Sequence, residues 1–414
     1  MLNKPGPPRT REDACPGAWH VHAAADGGLA RIRLPGGRIT AGQMRFLAES
    51  ASELGNGQLE LTSRANLQLR GVDDSDVAEL ATRLGSHGLL PSRSHETCRN
   101  VIASPCTGLD DDGLLDVSRC VEELDTALCA VPELAALPGR FLFTVDDGRG
   151  DVSTLGGDIG LHAVGATEFA VLLAGRDSGV RVGQESAARS AITAAEAFMR
   201  QRAAEPAPVW RLAELYDGRR RIAADLGRPC SEPSDPPFTE PVRPGIAARR
   251  GNLVALAVGA PLGRLTPQRA SQLAALADRA GGDLRITPWR SVLVPGLAAA
   301  EAATRAQHLR EQGFVVEADS PWSGMTACTG TPGCAKSHAD VQRDAHRVAE
   351  SLEPGGTPVH WVGCSRRCGT PRATAVEVLA TGAGYDVRLA DEVTASGLDA
   401  EDTPAAINAA RRTA

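Results

Sequence analysis

The chain has 414 residues, of which 42% are hydrophobic, and a formal net charge of −7 at pH 7. That length allows two to four domains and a large core, and the acidic balance excludes a general nucleic-acid binder. No run of eighteen apolar residues occurs and the opening MLNKPGPPRTREDACPG lacks an apolar signal core, so no membrane span and a cytoplasmic, reducing compartment are expected.

Taken in order, the first strand-like run is LARIRLP, followed by GRITAGQMRFLAESASELGNGQLELTSRANLQLRGV over residues 37–72. The latter reads as an amphipathic helix with Thr40 as its N-cap, a Gly turn and two short strands. A second helix, SDVAELATRLGSHG, comes next. Residues 115–130 read as a helix whose Cys120 and Cys129 fall on opposite faces, so they are not one site. RFLFTVDD, DIGLHAV, EFAVLLAG and GVRVG read as strands, and residues 184–202 as a long helix. GRPCSEPSDPPFTEPVRPG, residues 227–245, is Pro-rich and reads as a linker.

After the linker the opening pattern returns. NLVALAVG is a strand, and residues 263–297, GRLTPQRASQLAALADRAGGDLRITPWRSVLVPGL, repeat the N-cap (Thr266), helix, turn and strand pair. AAAEAATRAQHLREQG supplies the second helix. Each β-α-β-β-α copy alone leaves a sheet face and an edge uncovered, so the two are expected to pack as pseudo-symmetric halves of one domain. The fold class expected is α/β (α+β): a pseudo-two-fold pair of ferredoxin-like halves at 15–92 and 246–318, a central α/β domain at 93–226, the linker at 227–245 and a cysteine-rich cluster domain at 319–398. The tail beyond about residue 400 is expected to be a loose helix or without structure.

In a reducing compartment, ten cysteines point to metal ligands or catalytic thiols more than to disulfides. Four of them stand in Gly- and Pro-rich loops: MTACTGTPGCAKSH carries Cys328 and Cys334, and HWVGCSRRCGTP carries Cys364 and Cys368. Cys-x5-Cys followed by Cys-x3-Cys can hold a 4Fe–4S cluster. Structural zinc is the alternative, although an x5 loop is wide for a zinc knuckle; unligated core cysteines are the third. Lys336, Arg366 and Arg367 could offset the thiolate charge. Cys98 and Cys106 are read as structural, and His338 and His360 as local hydrogen-bonding residues more than as iron ligands. GTPGCAKS only approximates a phosphate loop, and no Gly-x-Gly-x-x-Gly follows a strand, so electrons are expected from a separate donor protein or reductant.

The spacing of the four cysteines resembles the cluster motif of the sulfite and nitrite reductase superfamily. TSRANLQLRGV and TPWRSVLVPG are similar to that superfamily's repeated element, with Trp289 where the first copy has Arg64, and RNVIASPCTG resembles the segment after the first half-domain. Within the superfamily, the ACPGAWHVHAAADGGLARIRLPGGRIT opening and the length resemble the precorrin-3B synthase family. That resemblance implies a monooxygenase: oxygen-dependent hydroxylation of precorrin-3A at C20 with lactone formation, in aerobic cobalamin biosynthesis. It implies a 4Fe–4S cluster on Cys328, Cys334, Cys364 and Cys368, and no sirohaem. A mononuclear iron is suggested for the family, and no residue here locates one; the catalytic group that meets oxygen is unknown.

The same resemblance assigns the substrate's carboxylates to arginines, whose planar fork suits them. Arg64 and Arg99 match positions that hold sirohaem carboxylates in the reductases, and Arg70 could add a contact. LPGRFLF resembles the reductases' Leu-Pro-Arg-Lys-Phe-Lys segment: Arg140 stands at its first lysine and Leu142 at its second, which helps bind the small anion and deliver protons. The loss of that second lysine argues for an organic substrate. The acid that commonly follows the second cysteine pair is Ala375 here, with Glu377 two residues later. The alternatives carried forward are a sirohaem-dependent sulfite or nitrite reductase and a non-catalytic carrier of tetrapyrrole or cluster.

Overall fold

The structure, a computed structural model, describes residue 13 and residues 15–227, 231–371 and 374–413. The chain opens with β1 (His22–Ala24), β2 (Gly27–Ile32), β3 (Arg38–Thr40), α1 (Ala41–Leu54), β4 (Leu59–Leu61), β5 (Leu67–Val72) and α2 (Val77–Ser86). A middle stretch follows: β6 (Val101–Ala103), α3 (Ser118–Cys129), β7 (Phe143–Asp146), β8 (Ile159–Ala163), β9 (Glu168–Leu173), β10 (Arg176–Gly183), α4 (Gln184–Ala203) and α5 (Gly218–Leu226). The opening pattern then recurs as β11 (Gly245–Arg250), β12 (Leu253–Gly259), β13 (Arg264–Leu265), α6 (Pro267–Asp278), β14 (Asp283–Ile286), β15 (Ser291–Ala298) and α7 (Ala302–Glu311). The last stretch is β16 (Met325–Ala327), α8 (Val341–Val348), β17 (Val359–Val362), β18 (Val376–Thr381), β19 (Gly384–Leu389), β20 (Glu392–Leu398) and α9 (Thr403–Thr413).

These strands form four five-stranded sheets. The two ferredoxin-like copies are built alike from their caps inward. Thr40 accepts from the Gln43 N–H and Gln43 returns the bond, while Thr266 accepts from the Arg269 N–H. Alternating apolar residues on the strands and the apolar stripes of α1 and α6 then close on one another in a single core, which runs from Ile32 and Leu67 through Met44 and Leu273 to Val254 and Val294.

The copies are also laced together. The GRIT and GRLT segments, expected only as lead-ins to a helix, are short strands that cross over. The first sheet runs β1-β2-β5-β4-β13 and the second β11-β12-β15-β14-β3, so each copy completes the other's edge. Gly37 makes this crossing possible: its φ is +70°, and a Cβ there would stand 2.1 Å from the Ile286 carbonyl oxygen.

The other two sheets share an order as well. β6, β7 and β8 are parallel, with β9 and β10 antiparallel beside them. β16, β17 and β18 are parallel, with β19 and β20 antiparallel beside them. α3 and α8 make corresponding crossovers, and α4 and α9 follow the last strands. The tail expected to be a loose helix or without structure is therefore an integral helix. α9 buries Ile407 and Ala410 in the last core, and Arg411 donates to the carbonyls of Thr357 and Glu353. Among the described residues, no helix is long and apolar enough to cross a membrane.

Candidate active site

The thiols sit where parallel strands place ligands, in loops beyond the strands' carboxyl ends. Cys328 directly follows β16, and Cys364 follows the neighbouring β17 by two residues. The Cys328 N–H donates to the Trp361 carbonyl at 2.9 Å, and the Gly363 N–H donates to Cys328 Sγ at 3.1 Å. The His338 N–H donates to the Gly363 carbonyl, which ties the Cys334 loop to the Cys364 loop. Only glycine fits at 363, because a Cβ would fall 1.9 Å from Ser337 Oγ.

Burial pushes the Cys328 thiol up, backbone N–H groups of Gly363 and Gly330 oppose that, and the nearby Cys368 and Cys364 raise it further. Burial also raises Cys368, with Cys364 and Cys334 adding to the rise and Arg366 opposing it. The charges of the four cysteines are thus felt between the two loops. A tetrahedral zinc with bonds of ~2.3 Å needs sulfurs about 3.8 Å apart, and among the described residues no three of these thiols lie within 4.8 Å of one another. The N–H···S bond from Gly363 to Cys328 is of the kind that stabilises a thiolate ligand.

A cationic floor lies on the first sheet. One face of that sheet is apolar and packs on α1; the other carries Arg31, Arg33, Glu60, Gln68 and Arg70. Register places Arg31, Gln68, Glu60 and Arg264 in one row across β2, β5, β4 and β13. Arg31 Nε donates to Gln68 Oε1 at 2.9 Å, Gln68 Nε2 donates to Glu60 at 2.9 Å, and Arg264 closes the row on Glu60. Arg33 is 2% exposed; among the described residues its Nη2 has a partner, the Thr97 carbonyl, and Nε and Nη1 have none. Burial and the neighbouring Arg31 and Arg64 bring its pKa down to about 9.

The predicted ligands fall unevenly around this floor. Arg64 donates to the carbonyls of Gly139 and Arg140, and its pKa falls to about 10 through burial and the charge of Arg211. Arg140 is half exposed, with its guanidinium 5.1 Å from the Trp210 ring. Arg70 pairs with Asp26 and donates to the Gly333 carbonyl at 3.1 Å, so the floor's far end reaches the thiol loop. Arg99 lies apart from these. It is buried in a two-pronged pair with Asp125 on α3, so its charge is already matched. Leu142 is buried against Ile102 and Val152.

Near the thiols, Arg367 is bound to Glu377 and Asp391. Of the cations expected to offset the thiolates, it is therefore already neutralised within the protein. His360 is fully buried between Thr326 Oγ1, 2.7 Å from Nδ1, and the Cys368 carbonyl, 3.0 Å from Nε2. Burial lowers its pKa to about 4. Both ring nitrogens are thus engaged in hydrogen bonds. Cys98, Cys106 and Cys120 are buried, with pKa values raised to about 12. Sequence reasoning missed Arg31, Arg33, Glu60 and Gln68; the signal was the alternation in Arg-Ile-Arg and Gln-Leu-Arg.

In the middle sheet, the loop after β7 that matches the Cys364 loop carries carboxylates in place of thiols. Asp146 accepts from four backbone N–H groups, at Gly148, Gly150, Val152 and Ser153, and the neighbouring His162 together with these groups brings its pKa down to about 2. Asp147 is held by Arg149, and Asp151 Oδ1 accepts from Ser104 Oγ. Burial and the charge of Asp146 push Asp151 up to about 7. Arg149 also pairs with Asp110, which ties this loop to the one after β6.

Comparison with known proteins agrees with the geometry. The nitrite/sulfite reductase ferredoxin-like half domain matches residues 22–87 and again residues 247–312. The chain is 25% identical over 382 residues to a precorrin-3B synthase of Sinorhizobium sp., covering 91% of this chain and 82% of that one. It is 25% identical over 409 residues to a ferredoxin–nitrite reductase of Synechococcus elongatus, covering 88% and 78%. The structure of the Mycobacterium tuberculosis NirA protein shares the fold, with a TM-score of 0.70 at 21% identity over 88% of this chain and 75% of that one. The half domain is thus present twice, in the laced arrangement described above, and the chain is similar along most of its length to a precorrin-3B synthase and to ferredoxin–nitrite reductases.

Proposed function

We propose that the chain is a precorrin-3B synthase, which hydroxylates precorrin-3A at C20 with molecular oxygen and closes a lactone through the ring A acetate. The observation that carries this reading is the cationic floor. Arg31, Arg33 and Arg64 spend their hydrogen bonds on neutral acceptors, so their charge is left for an anionic ligand. A polycarboxylate tetrapyrrole needs several such groups, because each carboxylate withdrawn from water must be paired. The relative named precorrin-3B synthase, matched along most of both chains, supports the substrate.

Cys328, Cys334, Cys364 and Cys368 would hold a 4Fe–4S cluster, which supplies single electrons from a separate donor. The protein's own residues do the rest. Arg31, Arg33, Arg64 and Arg140 orient the macrocycle through its carboxylates. Arg70 keeps the floor in register with the thiol loop by bridging Asp26 and Gly333. Leu142 leaves no ammonium group at the position that serves a small anion, which favours an organic substrate. Arg99 positions α3 through Asp125 and contacts substrate only if that pair opens.

The test is direct. Precorrin-3A, oxygen and a reductant with anaerobically purified protein should give a product heavier by one oxygen atom, read by mass spectrometry. An unchanged mass would leave a carrier role. The relatives named as ferredoxin–nitrite and sulfite reductases favour a second reading. Sirohaem in the purified protein together with turnover of nitrite or sulfite would replace the hydroxylase.

A further inference from the structure

A second cavity, of about 350 Å³, lies between the second sheet and the β16–β20 sheet. That is at the small end of the ~300–1,000 Å³ typical of small-molecule sites. It occupies the place in the second copy that the Arg33 and Arg64 region has in the first. The repeat makes the match residue by residue: Thr62 and Thr287 each accept from the backbone two and four residues ahead, and Ala65 and Arg290 share a left-handed φ of +55° and +58°.

The chemistry of the walls is inverted. Trp289 and Trp322 line the cavity with Pro241 and Met325, where the first copy is crowded with guanidiniums. Thr326 at the wall is committed to His360. Of the two arginines present, Arg243 is paired with Glu240. Arg290 is partly buried and makes no side-chain hydrogen bond or ion pair among the described residues; burial lowers its pKa, and the charge of Glu60 opposes that. A guanidinium partly withdrawn from water at a cavity wall with no direct hydrogen-bond partner is open to a ligand, and an anion is the partner it accepts best. Two indoles beside it favour a flat aromatic body.

We propose that this cavity is a second ligand site, separate from the cationic floor, that takes a small planar aromatic carboxylate with its anionic end on Arg290 and its ring against Trp289 and Trp322. A macrocycle is too large for it.

The experiment is calorimetric titration of the full chain with naphthalene-2-carboxylate and with its neutral counterpart, 2-naphthalenemethanol. One molecule of the carboxylate should bind per chain, at least tenfold more tightly than the alcohol. Arg290→Gln should bring the two within about twofold, and Arg290→Lys should restore part of the preference. Trp289→Ala should weaken both ligands alike and serves as the independent variant if the Arg290 changes impair folding. Equal binding of acid and alcohol, a preference that survives Arg290→Gln, or no binding of either compound would overturn the proposal.

Discussion

The two ferredoxin-like sheets are the same construction with opposite outer faces. In the first, the row across four strands reads Arg31, Gln68, Glu60, Arg264; in the second, the matching row reads Ala257, Leu293, Arg285, Arg38. The second face is closed: Ala255, Ala257 and Leu293 pack on Cys106, and Arg285 donates to the carbonyls of Pro105 and Thr107 in the loop after β6. The loop after β16 stands over the first face in the corresponding way, held there by Arg70 on Gly333. One face became apolar core and the other stayed charged. The difference lies wholly in side chains that alternate outward on strands of identical register, so the duplicated scaffold supplies position and a handful of residues supply chemistry.

The comparison breaks most completely at the thiols. Cys328→Ser or Cys364→Ser should abolish bound iron and acid-labile sulfide, whereas Cys106→Ser, in the matching loop of the other half, should leave both unchanged; metal and sulfide analysis per chain decides. Next in size, Arg33→Met should divide two properties that usually move together. It removes two buried nitrogens without partners, so stability should rise by about 1–3 kcal/mol in denaturant unfolding. Affinity for the tetrapyrrole should fall roughly 10- to 100-fold with the lost charge.

Asp151→Asn probes the carboxylate loop after β7. Folded Asp151 keeps its proton up to about pH 7, while the unfolded side chain loses it near the ordinary 3.8. The folded state therefore binds more protons across that window, and wild-type stability falls as pH rises from about 4 to 7. The variant should gain on the order of 4 kcal/mol relative to wild type at pH 8 and nothing below pH 4, read from parallel unfolding curves. The smallest effect concerns the shared turn. Thr62→Val and Thr287→Val each strip the acceptor from two backbone N–H groups and should cost about 1–2 kcal/mol apiece; unequal losses would mean the two turns are not energetically equivalent.

Much of this was legible beforehand because it is local. The Thr40 and Thr266 caps, the helical stripes and the repeat itself are written in short-range pattern. The four cysteines announce themselves by type and spacing. What escaped is long-range. A strand of two or three residues, such as Arg264–Leu265, has no measurable period, and its partner Glu60 lies about two hundred positions away. The likeness of the β6–β10 and β16–β20 sheets is one of ladder order, which no side chain spells out. Arg99 and Arg367 read as available cations because their carboxylates, Asp125, Glu377 and Asp391, meet them only in the folded chain.

The exchanged edge strands have a consequence for how the molecule can come apart. If the chain is severed within residues 231–244, where no helix or strand is disturbed, each fragment keeps a strand that belongs in its sister's sheet and lacks one of its own. Neither piece should reach a cooperative native state in isolation, and each would present a raw sheet margin prone to self-association. Produced together, they should find one another, so the old duplication behaves as an obligate heterodimer whose subunits happen to share a peptide tether.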